Sequence, residues 1–436
     1  MGIKVAKFGG SSLADAAQFK KVKDILLADS SRRFAVPSAP GKRFKDDVKV
    51  TDMLYKCYRQ VEKGCDIREE FEVIAERYRS IARELGLKID IDALLNATYD
   101  DIKRVATPDF AASRGEFLNG VLLAEYLGWD FIDPKDYIKF DRQGVFAEEW
   151  TNELLGEELK KHEKAVIPGF YGSVPNGEVR TFSRGGSDIT GAVVARAAGA
   201  EIYENWTDVS GFLMADPRIV DNPREIRTLT YAELRELSYM GATVLHEESI
   251  FPVHKAGIPT NIRNTNLPSH PGTMIVGNAK GQDCVITGVA GRKNFSLISI
   301  EKAMLNSEVG FCRRVLSVLE DFDISIEHMP TGIDTVSVLV ADSEIKDRQS
   351  EIVRRINDVC HPDHVEITSG IALIATVGLG MVRAPGTAAR LFGGLHKNGV
   401  NVRMIDQGSS ELNIIVGVDT EDFEKAVKAI YEAFSD

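Results

Sequence analysis

The chain has 436 residues, 44% hydrophobic and 27% charged, with a formal net charge of −12. At ~150 residues per domain that length is too great for one hydrophobic core and predicts about three domains. Basic residues are interspersed with acidic ones, which excludes a basic nucleic-acid or anionic-membrane surface, so any phosphate must be bound locally.

No stretch approaches the ~20 apolar residues of a membrane span, and the first ten residues, MGIKVAKFGG, lack a signal-peptide core. Cys57, Cys65, Cys284, Cys312 and Cys360 are odd in number and show no CxxC spacing. Neither a disulfide framework nor a zinc site is expected, and a reducing cytoplasm fits. His361 and His364, in HPDH, read as solvated loop residues, so no metal ligand is assigned.

Residues 3–8 predict a short buried strand, followed by Gly9-Gly10-Ser11-Ser12 and a helix over about 18–27. Phe71, Ile74, Tyr78, Ile81 and Leu85 recur at three- and four-residue steps, which predicts an amphipathic helix over 68–85. Strands at 165–167 and 201–205 flank a glycine-rich stretch, 183–187, and a helix over about 188–198. Strands alternating with helices imply an α/β fold with a doubly wound, mainly parallel sheet.

Beyond about residue 291 an internal repeat appears at an offset of 76: Gly310 matches Gly386, Leu319 matches Leu395 and Ile324 matches Val400. Both copies read strand, helix, strand, strand, helix. Two small α+β modules are therefore expected after the large α/β domain.

Phosphoryl transfer needs positive charge and backbone N–H groups around the transferring group more than it needs covalent help. Lys7 through Ser12, KFGGSS, supplies both, with Gly9 and Gly10 admitting phosphate oxygens close to the backbone. A second glycine turn, Ser183-Arg184-Gly185-Gly186-Ser187-Asp188, opens another helix. Arg184 offers a planar fork for a carboxylate, and Asp188 falls in the first helical turn, where the dipole tolerates an anion. Trp206-Thr207-Asp208 through Asp216-Pro217-Arg218 then reads as a nucleotide-side loop following a strand.

In this order, KFGGSS, SRGE at 113–116, FSRGGSD at 182–188, WTDV with DPR at 206–218, and QGSSELNI at 407–414 resemble the aspartate kinase family over nearly the whole chain. The resemblance implies an amino-acid-kinase domain over 1–290 and two ferredoxin-like ACT domains over 291–369 and 370–436, with strands open to exchange between them. It implies MgATP and L-aspartate as substrates, with Mg2+ as cofactor, and 4-phospho-L-aspartate as product, the first step toward lysine, threonine and methionine. By the same resemblance Lys7, Gly9, Gly10 and Ser11 meet the phosphates, Glu116 takes the α-ammonium of aspartate, and Arg184 its α-carboxylate. Thr51 matches a substrate-contacting threonine, although an inserted stretch, GKRFKDDVKV, precedes it. Asp188 orients Lys7 or the metal–phosphate assembly. Thr207, Asp208 and Arg218 carry over to the nucleotide side. The chain departs from the family pattern at two ATP-binding positions, Leu213 where a tyrosine is usual and Thr243 where a lysine is usual.

No dinucleotide-binding domain follows the second module, so a monofunctional enzyme is expected, pairing as a homodimer or higher oligomer through its ACT domains. An amino-acid effector, L-lysine rather than L-threonine, is expected at the first module, around Met304, Ser307, Gly310, Phe311, Ile326, Glu327 and Asp334. Small residues and free N–H groups would take its α-carboxylate there, and Glu327 and Asp334 its ammonium groups. Two alternatives stay open: another amino-acid kinase, of glutamate or acetylglutamate type, and a non-catalytic ACT sensor of amino acids.

Overall fold

The computed structural model describes residues 2–183, 185–242, 245, 247–278 and 284–435. The chain divides into two compact units: Met1–Phe212 with Arg227–Tyr231 and Val244–Ala279, and Leu213–Ile226 with Ala232–Thr243 and Lys280–Asp436.

The first unit is built on an eight-stranded sheet. Its order is Thr228–Thr230, Thr273–Val276, Thr260–Asn264, Ile202–Thr207, Lys4–Phe8, Arg32–Pro37, Ala165–Val166 and Asp130–Phe131. All neighbours are parallel except Thr260–Asn264 and Thr273–Val276, which run antiparallel. Val5, Ala6 and Phe8 are fully buried, as the apolar run in the sequence predicts for a central parallel strand. From Lys4–Phe8 the chain crosses first to Arg32–Pro37 on one side and only later to Ile202–Thr207 on the other. Such a reversal leaves a crevice beyond the carboxyl ends of these strands.

The helix Arg68–Leu85 falls where its apolar stripe places it, with Phe71, Ile74, Tyr78 and Ile81 in the core, and ends at left-handed Gly86. Several elements start or end differently from the sequence reading by a residue or two, and two of them bear on the crevice. The helix expected from about 188 begins at Gly186, because Gly185 takes the left-handed conformation, φ 63°, and turns the chain earlier. The strand expected to end at 205 runs on to Thr207 because Trp206 is needed in the core. The Trp206 indole donates to Glu204 Oε2 at 2.9 Å, and that carboxylate also receives the Arg32 guanidinium at 2.7 and 3.1 Å.

The second unit holds an antiparallel sheet in the order Thr335–Ala341, Gly288–Glu301, His364–Val377, Asn413–Asp419, Met404–Asp406. The repeat is visible in its helices. Phe311–Asp321 and Thr387–Lys397 begin 76 residues apart, each behind a left-handed glycine, Gly310 at φ 81° and Gly386 at φ 90°. Val315, Val318 and Leu319 of the first helix pack with Ile298, Val336, Val338 and Ile352. The second strand expected in the first copy is reduced to two isolated bridges, His328 to Leu339 and Thr331 to Val336. Pro330 has no N–H to give a ladder, and Gly332 favours a turn. His364–Val377 is continuous through residue 370, and Gly288–Glu301 pairs with it along its length. Both are 14 residues long, with a register shift between Arg292 and Ser296. Among the described residues no helix is long and apolar enough to cross a membrane.

Candidate active site

Three parallel strands end side by side at the crevice, and each delivers a different group. From the first, Lys7 is only 6% exposed and its Nζ lies 2.6 Å from Asp188 Oδ1. Asp188 stands in the first turn of the Gly186–Ala197 helix, and the same Oδ1 accepts from Asn205 Nδ2 at 2.8 Å. Asn205 sits beside Lys7 in strand register. A carboxylate held by two donors fixes the lysine at the mouth of the crevice, within reach of an anion arriving above the glycine turn.

Beyond the strand, Gly9 N–H donates to Trp206 O at 2.9 Å, and Gly10 through Leu13 form one tight turn that includes Ser11. The turn is anchored by Ser12, whose hydroxyl meets that of Thr265 at 2.7 Å. The segment leaving the second strand, Ser38 to Gly41, closes over it. Gly41 N–H donates to Gly10 O at 2.8 Å, and a Cβ on Gly41 would stand 2.5 Å from the Gly10 carbonyl carbon. Only glycine fits at this crossing. Arg77, buried in the helix behind, donates to the carbonyls of Gly41, Val48 and Ala14 and so pins the same loops.

The helix Pro108–Leu127 carries a second buried carboxylate. Glu116 is 5% exposed, and its Oε2 has no hydrogen-bond partner. Burial pushes its pKa up to about 8, against the pull of the Ala39 N–H, the Lys7 charge and the Ser187 hydroxyl. Thr51 lies half-buried in the first turn of the Val50–Glu62 helix. Thr207 ends the third strand, its hydroxyl donating to exposed Asp208 at 3.2 Å. The structure thus brings Lys7, Gly9, Gly10, Ser11, Glu116, Asp188, Thr207 and Asp208 into one unit. Leu213 and Arg218 belong to the second unit, where Arg218 folds onto Asp216 at 2.6 Å. Arg184 and Thr243 lie outside the described residues.

Sequence reasoning missed Asn205, Asn119, Arg77 and the 38–41 segment, and met Ser187 only as part of the second glycine turn. Only Asn119 carried a local signal, its position one helical turn after Glu116. Of the residues expected at an effector site, Met304 is exposed and its N–H donates to Asp334 Oδ1 at 2.7 Å. Ser307 is exposed in a short turn, and Gly310 caps the following helix. The Phe311 side chain is core, with Ile326 packed against that core. Glu327 already accepts from the Tyr239 hydroxyl at 2.5 Å and lies 3.8 Å from Arg292 Nη1.

A mainly parallel sheet with a lysine and glycine turn at its switch point, followed by paired α+β modules, defines a regulated phosphoryl-transfer enzyme. The chain matches the amino acid kinase family over residues 2–264 and an ACT domain over 374–434. It is 39% identical to aspartokinase 3 of Bacillus subtilis, over 99% of this chain and 98% of that one. The solved structure of Clostridium acetobutylicum aspartate kinase superposes with a TM-score of 0.93 at 54% identity, covering all of both chains. E. coli aspartokinase III, solved with aspartate and ADP and separately with lysine and aspartate, gives 0.76 at 26% identity, again covering both chains in full. The chain belongs to the aspartokinase family, which phosphorylates aspartate under ACT-domain regulation.

Proposed function

We propose that Lys7, held by Asp188 and Asn205, is the cation that meets the γ-phosphoryl group of ATP while Glu116 and Arg184 hold the acceptor aspartate by its α-ammonium and α-carboxylate. One observation carries this reading: a nearly buried lysine paired at 2.6 Å in the same crevice as a buried carboxylate with an unpartnered oxygen. A side-chain carboxylate oxygen of aspartate attacks the γ-phosphorus. The bond to the β,γ-bridging oxygen breaks, and ADP leaves with the electron pair. The carboxylate needs no proton removed, so the protein's work is placement and charge. The N–H groups of Gly10 and Ser11 and the Lys7 ammonium face the phosphates, with Thr207 and Asp208 on the nucleotide side. The incoming ammonium supplies the donor that Glu116 Oε2 lacks and favours its charged form.

Mg2+ fits as part of the nucleotide. The described residues hold no group of three or more metal-binding side chains, so the ion would take phosphate and water oxygens with Asp208 or Asp188 as carboxylate, and would neutralise phosphate charge. Leu213, Arg218 and Thr243 are proposed around the nucleotide, and Thr51 beside aspartate.

Regulation is proposed at the first module, with lysine the effector rather than threonine; the lysine-bound E. coli relative supports this. Exposed Met304, Val309 and Ile333, at 70%, 96% and 70%, support a homodimer through the same modules. The deciding experiment is ADP release with aspartate, glutamate or no acceptor, titrated with lysine and threonine. Glutamate turnover above aspartate turnover, or no acceptor dependence, overturns the acceptor reading; inhibition by threonine alone overturns the effector.

A further inference from the structure

We infer that Asn119 is a positioning residue of the acceptor pocket, fixing the Ser38–Ala39 peptide so that its N–H faces Glu116. Asn119 lies one turn beyond Glu116 on the Pro108–Leu127 helix and is fully buried. Its Nδ2 donates to the carbonyl of Ser38 at 2.6 Å. The other face of that peptide unit is the Ala39 N–H; the Ala39 methyl packs against the same helix at Gly115, the residue before Glu116, and the N–H is among the groups that favour the charged Glu116 carboxylate. Because a peptide is planar and trans, holding its carbonyl from one side sets the direction of its N–H on the other. One helix therefore grips one peptide at two points a turn apart.

A second observation argues that the amide is kept for this bond. Asn119 Oδ1 is buried and accepts nothing. A half-satisfied amide in a fully buried position costs stability that leucine, of similar size, would not. The peptide so held is also the approach to the phosphate turn, since Gly41 N–H, two residues after Ala39, donates to Gly10 O. Asn119 thus links the seat of the acceptor to the seat of the phosphates without touching either.

The inference rests on the reading that Glu116 receives the α-ammonium of aspartate. Among the described residues the titratable groups facing Glu116 from other elements are Lys7, Tyr55, Tyr78 and Tyr171, with the Ser187 hydroxyl beside them. None is altered by a change at residue 119. Loss of the fixed N–H leaves the Glu116 carboxylate less stabilised, so a higher pH is needed to ionise it.

The test compares Asn119→Leu and Asn119→Ser with Glu116→Gln in the full chain, by steady-state kinetics from pH 6 to 9.5 and by thermal melting. The expected result for Asn119→Leu is a rise of about tenfold in the aspartate KM with the ATP KM within about twofold. The acid limb of kcat/KM for aspartate should move to higher pH, with a melting temperature at or above wild type. Asn119→Ser, retaining a donor, should recover part of the loss. Unchanged aspartate kinetics in both Asn119 variants beside a large Glu116→Gln effect overturns the role of Asn119 alone, as does an equal rise in both KM values with an unmoved pH limb. A flat response to Glu116→Gln overturns the ammonium seat itself, and this inference with it.

Discussion

Lys7 Nζ and Asp188 Oδ1 stand 2.6 Å apart on two elements, a strand and the first turn of a helix 181 residues further along the chain. Asn205 shares that carboxylate oxygen, so removing the lysine leaves Asp188 with one donor and the sheet intact. Lys7→Ala should therefore fold normally and lose about 10²-fold or more in kcat, the effect of losing a charge aimed at a transferring phosphoryl group. Near-wild-type turnover at saturating MgATP and aspartate would remove Lys7 from the chemistry.

Burial holds the Glu116 pKa at about 8, above its ordinary 4.5. Between these values the folded protein binds the proton that the unfolded chain releases, so its contribution to stability is lost as pH rises from 4.5 to 8 and stays lost above. Glu116→Gln abolishes that loss. Relative to wild type without substrate, the variant should gain thermal stability steadily from pH 5 to pH 8 while its aspartate KM rises. A stability difference that does not grow with pH would contradict the buried carboxyl.

Arg184→Ala should raise the aspartate KM well above any change in the ATP KM if Arg184 is the proposed bidentate partner of the α-carboxylate. Separate titrations of the two substrates decide it; a selective rise in the ATP KM would move Arg184 to the nucleotide side.

Glu327 is not a free acceptor, because the Tyr239 hydroxyl donates to it at 2.5 Å. An effector ammonium there must share or displace that donor. Tyr239→Phe should thus lower the lysine concentration for half-inhibition by about threefold or more, and Glu327→Ala should raise it. Full lysine inhibition persisting unchanged in Glu327→Ala would discard the contact while keeping the effector.

Beneath the site, Arg32 and Glu204 form a buried pair, side chains 7% and 2% exposed, with Arg263 at 3.7 Å and the Trp206 indole completing it. Glu204→Gln leaves two guanidinium groups without their anion and should cost about 3–5 kcal/mol, read from denaturant midpoints. A loss well under 1 kcal/mol would show that water reaches the pair.

Much of the fold was legible because it is written in short-range pattern: the stripe from Phe71 to Leu85, the glycine turns at Gly9 and Gly185, and the repeat that sets Gly310 against Gly386. Lys7, Glu116 and Asp188 could be proposed because each stands inside a compact motif. What was hidden depends on distance along the chain. Arg32 finds Glu204 across 172 residues and Glu327 finds Tyr239 across 88, so no window contains both partners. Asn119 and Asn205 are lone amides whose meaning comes from the backbone or carboxylate they meet. The second strand expected in the first copy failed because Pro330 and Gly332 withdraw the ladder that its composition invites.

The two 14-residue strands Gly288–Glu301 and His364–Val377 belong to both repeats at once. A cut at 369/370 would split one of them mid-ladder, leaving each half with raw, unpaired rungs that invite association with other chains. The repeats are thus not beads on a string that can be excised or exchanged singly. With no linker between them to absorb rotation, a change of twist imposed on one must be carried along unbroken backbone into its neighbour, which makes the shared pair a torsion bar rather than a hinge.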